Sequence, residues 1–452
     1  MFTLFINPNM AKVIKLRKGL DINLKGKAPL ETKTIKCPSE YALIPDDFTG
    51  LKPKVVVKEG DVVKVGDALF VNKMHPEVKF VSPVSGTVSL VERGERRKLL
   101  SVRVISDGKQ EAREFDVKGD VKELMLESGM FAFFRQRPYD VVANPEDAPK
   151  AIFVSAFNSM PLSQDFEYVL SGQEKEFQAG ITALSKLAKV YLGVSSKQKN
   201  SALLNAQNCE VNVFDGPAPA GNVGIQINHI SPINKGEVVW TLGAEEVLFV
   251  GRLMLTGKAD FTRSVALAGS EVAQPTYAKV LVGQKLTTLL EGQIDASKSL
   301  RIINGNVMTG VKTTVDAFLA AHATEVNVIP EGDHADEFMG WIAPRFNTFS
   351  THRSYFSWLF GKKKEYVFDA RVKGGERHMI MSGEYDKVFP MDIYAGYLIK
   401  AIIAGDIDRQ EALGIYEVAP EDFAIAEFVD SSKLELQRIV REGLDILRKE
   451  NA

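Results

Sequence analysis

Cysteine is almost missing from this chain: 452 residues hold only Cys37 and Cys209. Two distant thiols exclude a disulfide framework and a thiolate-held iron–sulfur cluster, and they fit a reducing, cytoplasmic setting. Long apolar runs are missing too, and none approaches the roughly 18 residues a membrane-spanning helix needs. The opening stretch MFTLFINPNMAKVIKLRKG has no basic region ahead of its few apolar residues and is broken by Asn7-Pro8-Asn9. It reads as no signal peptide. Met10 serves equally well as a start, because patterned sequence begins at Val13. A formal net charge of −2 gives no electrostatic reason to expect nucleic acid as a partner.

Recognisable reaction chemistry is also sparse. The histidines are His75, His229, His322, His334, His352 and His378, and none pairs at metal-ligand spacing. Asp333-His334-Ala335-Asp336-Glu337 is the densest ligand cluster, and an exposed acidic turn accounts for it. There is no G-x-S-x-G elbow and no cysteine with an evident base nearby. A chain without a complete active site reads as one component of a complex rather than a free-standing enzyme.

What is present begins with Val55 to Val91. Glu59-Gly60-Asp61 and Gly66-Asp67 are turn signals, each followed by a short β-branched run. Ser82-Pro83-Val84-Ser85-Gly86 repeats the pattern before Thr87-Val88. Two such half-motifs resemble the flattened barrel-sandwich hybrid of biotinyl and lipoyl domains, where a lysine between the halves carries the cofactor. Lys73-Met74 falls in about that place, so the barrel is either a carrier or a rigid docking module. Around it, Val13-Ile14-Lys15-Leu16, Asp21 to Leu24 and Val102 to Ile105 make Lys12 to Asp107 strand-rich. The charged hairpin Glu92 to Lys98 is better read as a solvated turn than as a phosphate patch.

The texture changes near Gly119. Val121 to Leu126 predicts a short helix, and Phe131 to Arg135 forms an aromatic patch. Ala151 to Ser155, Val190 to Val194 and Val211 to Phe214 predict strands, with a short helix over about Ser201 to Ala206. Phe177, Ile181, Leu184 and Ala188 share a helical face, with Ser171 as N-cap. This alternation predicts a parallel, doubly wound, Rossmann-like α/β domain. Such a domain binds ligands at the carboxyl ends of its strands. The loop Asp215 to Gly224 lies there, but it is not G-x-G-x-x-G, and its prolines remove amide donors. A turn shaped for packing or for a partner fits better than a dinucleotide site. Gly251 to Lys258 has one residue too many for a P-loop, and Ala259 replaces the metal-binding hydroxyl.

Beyond it, Arg263 to Val272, Val280 to Gly283, a helix at Leu286 to Leu290 and Arg301 to Gly310 predict a small β-grasp module. It resembles the soluble-ligand-binding β-grasp (SLBB) repeat in AGSEV and NGNVMTG. Trp341 to Lys364 mixes aromatics with Lys362-Lys363-Lys364, which suits a membrane interface or a membrane-protein partner as well as a core loop. Asp392 to Lys449 is helical. The predicted division is an extension at 1–11, a barrel-sandwich hybrid at 12–110, an α/β domain at 111–261, an SLBB-like module at 262–330, an aromatic connection at 331–375 and a helical domain at 376–452.

KLRKGLDINLKGKA (Lys15 to Ala28), SPVSGTV, GPAPAGNVG (Gly216 to Gly224), GGERHMIMSGEYDKVFPMDI (Gly374 to Ile393), AGDIDRQEALG (Ala404 to Gly414) and ELQRIVREGLDILRKE (Glu435 to Glu450) occur in one order. Together they resemble the A-subunit family of the sodium-translocating NADH:quinone reductases. Departures from the family pattern are the residues before Met10, and Ala218 and Asn222 in the glycine-rich loop. The resemblance implies a peripheral component on the cytoplasmic side of the bacterial inner membrane. There it would help form the quinone end of the electron path, seated on the membrane-embedded B subunit. It implies no cofactor of its own, with NADH, FAD, FMN, riboflavin, iron–sulfur and quinone served through other subunits. Phe131, Phe134, Pro217, Gly221, Gly224 and His229 are then candidates for a quinone or partner face, and Tyr355, Phe356, Trp358 and Phe360 for docking. The competing reading is a biotin- or lipoate-dependent carrier enzyme. Family membership expects Lys73 unmodified, so the intact mass of the native chain should equal its sequence mass, whereas a biotinyl or lipoyl increment on Lys73 would establish the carrier.

Overall fold

A computed structural model describes residues 12–333, 344–361 and 363–451. Met10, His334, Asp336, Glu337, Trp341 and Lys362 lie outside them. The strands Lys12–Lys15 (β1) and Thr32–Lys33 (β2) precede a barrel of Glu40–Leu43 (β3), Pro53–Val55 (β4), Val62–Val63 (β5), Ala68–Asn72 (β6), Lys79–Val81 (β7), Gly86–Arg93 (β8) and Leu99–Ser106 (β9). These last seven form two sheets, β3-β9-β8-β5 and β4-β6-β7. Leu69, Phe70, Phe80, Val84, Val88, Val102 and Val104 are buried in its core. The sequence repeat has a physical counterpart here. The Asp61 carboxylate accepts from the amide of Lys58 at 2.8 Å, and Asp67 accepts from that of Lys64 at 2.7 Å. Each aspartate thereby closes the turn that its neighbouring glycine permits. Lys73 is exposed just after β6.

The next elements are Val121–Glu127 (α1), Arg135–Arg137 (β10), Val141–Val142 (β11), Ile152–Ser155 (β12), Phe166–Leu170 (α2), Glu174–Leu184 (α3), Val190–Ser195 (β13), Ser201–Leu204 (α4), Glu210–Asp215 (β14), Val223–Ile230 (α5), Val239–Gly243 (β15) and Ala244–Thr256 (α6). Their sheet runs β1-β14-β13-β12-β15-β10-β11. It is parallel from β1 to β15 and antiparallel at β10 and β11. The first described strand therefore completes the α/β sheet, pairing its Val13 with Val213. Alternation within a strand says nothing about which distant edge it joins.

Two details correct the sequence reading. Ser171 does not cap α3: it follows α2, a five-residue helix capped by Asp165, and the residue before α3 is Gln173. Ala188 lies beyond the end of α3. The near-miss P-loop is the second half and end of α6. Its Gly251 is there for close packing, since a Cβ would lie 1.7 Å from the carbonyl oxygen of Glu176 on α3. Gly180 makes the reciprocal approach, 2.2 Å from the carbonyl oxygen of Val247.

A third sheet, β19-β18-β20-β16-β17-β2, is built from Thr262–Ala268 (β16), Thr276–Leu281 (β17), Leu300–Asn304 (β18), Val311–Thr313 (β19) and Glu325–Pro330 (β20), with β2 at one edge. Thr287–Leu290 (α7) lies between β17 and β18. The chain ends in Tyr385–Val388 (α8), Ala395–Ala404 (α9), Ile407–Ala412 (α10), Ala424–Val429 (α11) and Leu436–Glu450 (α12). On α12 the buried residues Leu436, Val440, Leu444 and Leu447 recur at helical spacing and face the core. Among the described residues no helix is long and apolar enough to cross a membrane.

Because backbone oxygen cannot yield as a side chain can, replacing Gly251 by alanine should force α3 and α6 apart. The expected cost is about 1–3 kcal/mol, read as a lower denaturation midpoint with unchanged cooperativity. An unchanged midpoint would show that the two helices are not in this contact.

Candidate functional site

Strands β12, β13 and β15 set the site. The chain runs from β12 to β13 on one side and later returns to β15 on the other, so the connections part at the carboxyl end of β12. Open α/β sheets hold ligands at such a point. Two adjoining cavities lie there. One, of about 260 Å³, is lined by Ser155 at the end of β12, Gly221 and Asn222 before α5, Gly243 to Glu246 at the start of α6, His322 and Glu421. The other, of about 580 Å³, is lined by Asp21 to Leu24, the loop 157–167, Ser195, Lys197, Gly216 and Lys363. Phe157, Asn158, Met160, Gln164 and Phe166 border both.

The rim is stitched by side chains. The Ser155 hydroxyl donates toward the carbonyls of Phe157 at 3.0 Å and Gly221 at 2.8 Å, and the Gln226 amide donates to the Ser155 oxygen at 2.8 Å. The amide of Gly221 donates to the Ser159 hydroxyl at 2.9 Å. The loops 157–159 and 216–222 approach so closely that a Cβ on Gly221 would sit 2.6 Å from the amide nitrogen of Ser159. Asn222 donates to the carbonyl of Glu421 at 2.9 Å, which fastens the helical end of the chain onto the same rim.

Behind the smaller cavity lies a buried charge cluster. Arg263 on β16 pairs with both carboxylates that open α6, Glu245 at 3.6 Å and Glu246 through its terminal nitrogen. Its other terminal nitrogen donates to the carbonyl of Ala323 at 3.0 Å. Glu245 also accepts from the amide of Ser264 at 2.8 Å. Burial pushes the Glu245 carboxyl up to about 7, against the lowering effect of Arg263. His322 lies edge-on between Phe48 and Phe133, each 5.5 Å away, with Nδ1 3.9 Å from Glu246. Burial holds its pKa down at about 4, so the ring is neutral at physiological pH. Arg135 and Arg263 are engaged by carboxylates, Lys197 and Lys363 stand on the wall of the larger cavity, and Phe133, Phe157, Met160 and Phe166 bring apolar surface beside these polar groups, the mixed lining of a small-molecule site. Among the described residues no group of His, Cys, Asp and Glu is arranged to hold a metal ion.

The residues singled out from sequence scatter. Gly221 lines the smaller cavity. Phe131 and Phe134 are wholly buried, stacked on each other at 5.2 Å and edge-on to Trp240, and line neither cavity. Pro217 packs at Gly19, and Gly224 makes room for Asp422, whose carboxylate a Cβ there would meet at 2.2 Å. His229 bonds through Nδ1 to the carbonyl of Ile225 within α5. Tyr355, Phe356, Trp358 and Phe360 fall together on and beside a short 3-10 turn, away from both cavities. The sequence reading passed over Glu245, Glu246, Arg263, His322 and Glu421. One signal was available: an acidic pair opening a helix straight after a strand, and an arginine inside an otherwise apolar strand.

Comparisons with known proteins match three successive parts of the chain. Family models described as the NqrA N-terminal barrel-sandwich hybrid domain, the NqrA second alpha/beta domain and the NQRA C-terminal domain (SLBB) match residues 14–107, 117–259 and 264–315. The A subunit of the Na(+)-translocating NADH-quinone reductase from Yersinia pestis is 34% identical over 451 residues, covering 97% of this chain and 100% of that protein. The same figures hold for the Haemophilus influenzae and Neisseria meningitidis proteins of that name. Among solved structures, the NAD+-reducing [NiFe]-hydrogenase in its air-oxidized state matches over 41% of each chain at 14% identity and a TM-score of 0.30.

Glu245 sets a pH dependence. Its carboxyl holds its proton up to about 7 in the folded chain, against an ordinary value of 4.5. The stability this lends is complete below the ordinary value and is lost as pH rises through about 7. Glu245→Gln, which has no proton to lose, should therefore show a shallower fall in Tm between about pH 5 and about pH 8 than the parent. Parallel profiles for the two proteins would remove Glu245 from this role.

Proposed function

Because the chain belongs to the A-subunit family of the Na(+)-translocating NADH-quinone reductases, we propose that it is a peripheral component of such a complex. It sits on the cytoplasmic face of the bacterial inner membrane, docks on the membrane-embedded B subunit, and helps to form the quinone end of the electron path. The complex oxidises NADH, reduces quinone and exports Na+. Flavins and iron–sulfur belong to its other subunits, and the isolated chain is not itself catalytic.

The observation that carries this reading is the match to relatives of that name along their full length. The crevice supports the quinone part. It has the volume and the mixed lining of a small-molecule site, it joins the α/β, SLBB and helical parts of the chain, and it presents aromatic walls beside hydrogen-bonding groups.

Purification of the tagged chain from native membranes in mild detergent should bring flavin-bearing membrane subunits with it. In that complex Phe157→Ala should lower quinone reduction by about tenfold, equivalent to ~1.4 kcal/mol, with co-elution intact. Recovery of the chain alone would overturn the docking, and full quinone reduction by the variant would move the quinone end elsewhere.

A further inference from the structure

The crevice is not the only surface that asks for an occupant. Between Arg353 and Lys364 the described residues include the cations Arg353, Lys363 and Lys364 and no carboxylate, in a chain whose net charge is −2. Beside these cations Phe356 at 53%, Trp358 at 44%, Leu359 at 60% and Phe360 at 58% are exposed, together with Phe346 at 46%. Three of the rings form one group, with Phe346 6.1 Å from both Phe356 and Phe360.

This group is held outward by its surroundings. Ser357 is buried beneath the turn, and the Tyr366 hydroxyl donates to its carbonyl at 3.5 Å. Tyr366 is tied in turn to the N-terminal segment, its amide donating to the carbonyl of Asn23 and its carbonyl accepting from Lys25, both at 2.9 Å. With Ser357 turned in, its neighbours Phe356 and Trp358 turn out. The cations interleave with the rings: Arg353 lies 5.2 Å from the centre of Trp358, and Lys364 lies 4.2 Å from that of Phe360. The Lys364 ammonium also donates to the carbonyl of Phe346 at 2.6 Å and to Asn347 at 3.1 Å, which fixes it at the level of the rings.

We propose that this rim rests directly on an anionic lipid bilayer, its rings at the level of the headgroups and its lysines and arginines against their phosphates. Exposed apolar groups of this size on a soluble surface mark a contact, and composition chooses between the two kinds. The centre of a protein–protein interface favours aromatics and arginine but is depleted of lysine, and Lys363 and Lys364 are both lysines. Tryptophan and other aromatics mixed with Lys and Arg are the pattern of the membrane interface, where anionic headgroups attract the cations. The inference rests on the placement at a membrane face given above, and it adds a second anchor beside the docking on the B subunit.

The test uses the purified full chain and lipid vesicles with no other subunit present. It should sediment with vesicles containing phosphatidylglycerol at least about tenfold more strongly than with phosphatidylcholine alone, and less so as salt is raised. Phe356→Ser with Trp358→Ser, and separately Arg353→Gln with Lys364→Gln, should each reduce that binding several-fold at an unchanged Tm. Equal partition into neutral vesicles, no partition at all, or undiminished binding by both double variants overturns the proposal. Should the ring variant bind vesicles normally but lose the B subunit, the rim is a protein-docking surface instead. Vesicle binding that fails while co-purification from membranes persists removes only the lipid contact. Vesicle binding that persists while co-purification fails removes only the membership of the complex.

Discussion

Arg137 stands at the end of an antiparallel strand on the sheet's outer flank, yet its side chain is only 1% exposed. A guanidinium in that position is costly unless carboxylates surround it. Asp140 lies 3.5 Å away, Glu421 3.2 Å and Asp422 3.3 Å. Burial works against its charge, and the three carboxylates more than offset that, raising its pKa. Two of these partners come from the helical end of the chain, so one side chain joins modules nearly 300 residues apart. Asp422 also accepts from the amide of Ala419 at 2.9 Å and occupies the space left by Gly224. Arg441 on α12 completes the joint by donating to the carbonyls of Tyr139 and Asp140. This cluster helps hold Glu421 against Asn222, where it walls the crevice.

Arg263 has the equivalent part between the α/β sheet and the β-grasp module. It reaches from β16 to the carboxylates that open α6, so the first turn of that helix is filled with buried acid. Acidic residues there suit the helix dipole, and their burial makes them dependent on Arg263. The two joints flank the smaller cavity, one carrying Glu421 and the other Glu245 and Glu246. Its shape follows from how three modules are fastened together rather than from any one of them. That explains why Glu245, Glu246 and Glu421 on its wall are already engaged by arginines.

This division also explains what could be read in advance. The barrel was legible because its two Gly-Asp turns are local devices, each closed by its own aspartate. The α/β alternation was legible because buried parallel strands show as short apolar runs between helical periods. The SLBB module and the motif order were legible through family resemblance. The crevice was not, because its members lie far apart in sequence and meet only through the buried arginines. Phe131 and Phe134 look like a ligand face when written in a row. In the fold the 3-10 turn of Met130–Phe133 directs them into the core, where they pack on Trp240. The glycine-rich loop, read as a turn shaped for packing or a partner, has glycines that answer to Leu16, Ser159 and Asp422, each a packing neighbour supplied by a different part of the chain.

The placement of charge separates the two surfaces. Inside, arginines are neutralised by carboxylates within about 4 Å, so the field they project is small, and burial keeps His322 neutral. On the rim, Arg353 and Lys364 lie against the exposed rings of Trp358 and Phe360. A charge that holds modules together is spent on its partner, whereas a surplus beside apolar groups still has a field to offer a surface of opposite sign. The buried joints therefore turn their charge inward on the fold, whereas the rim keeps charge at the surface beside its rings.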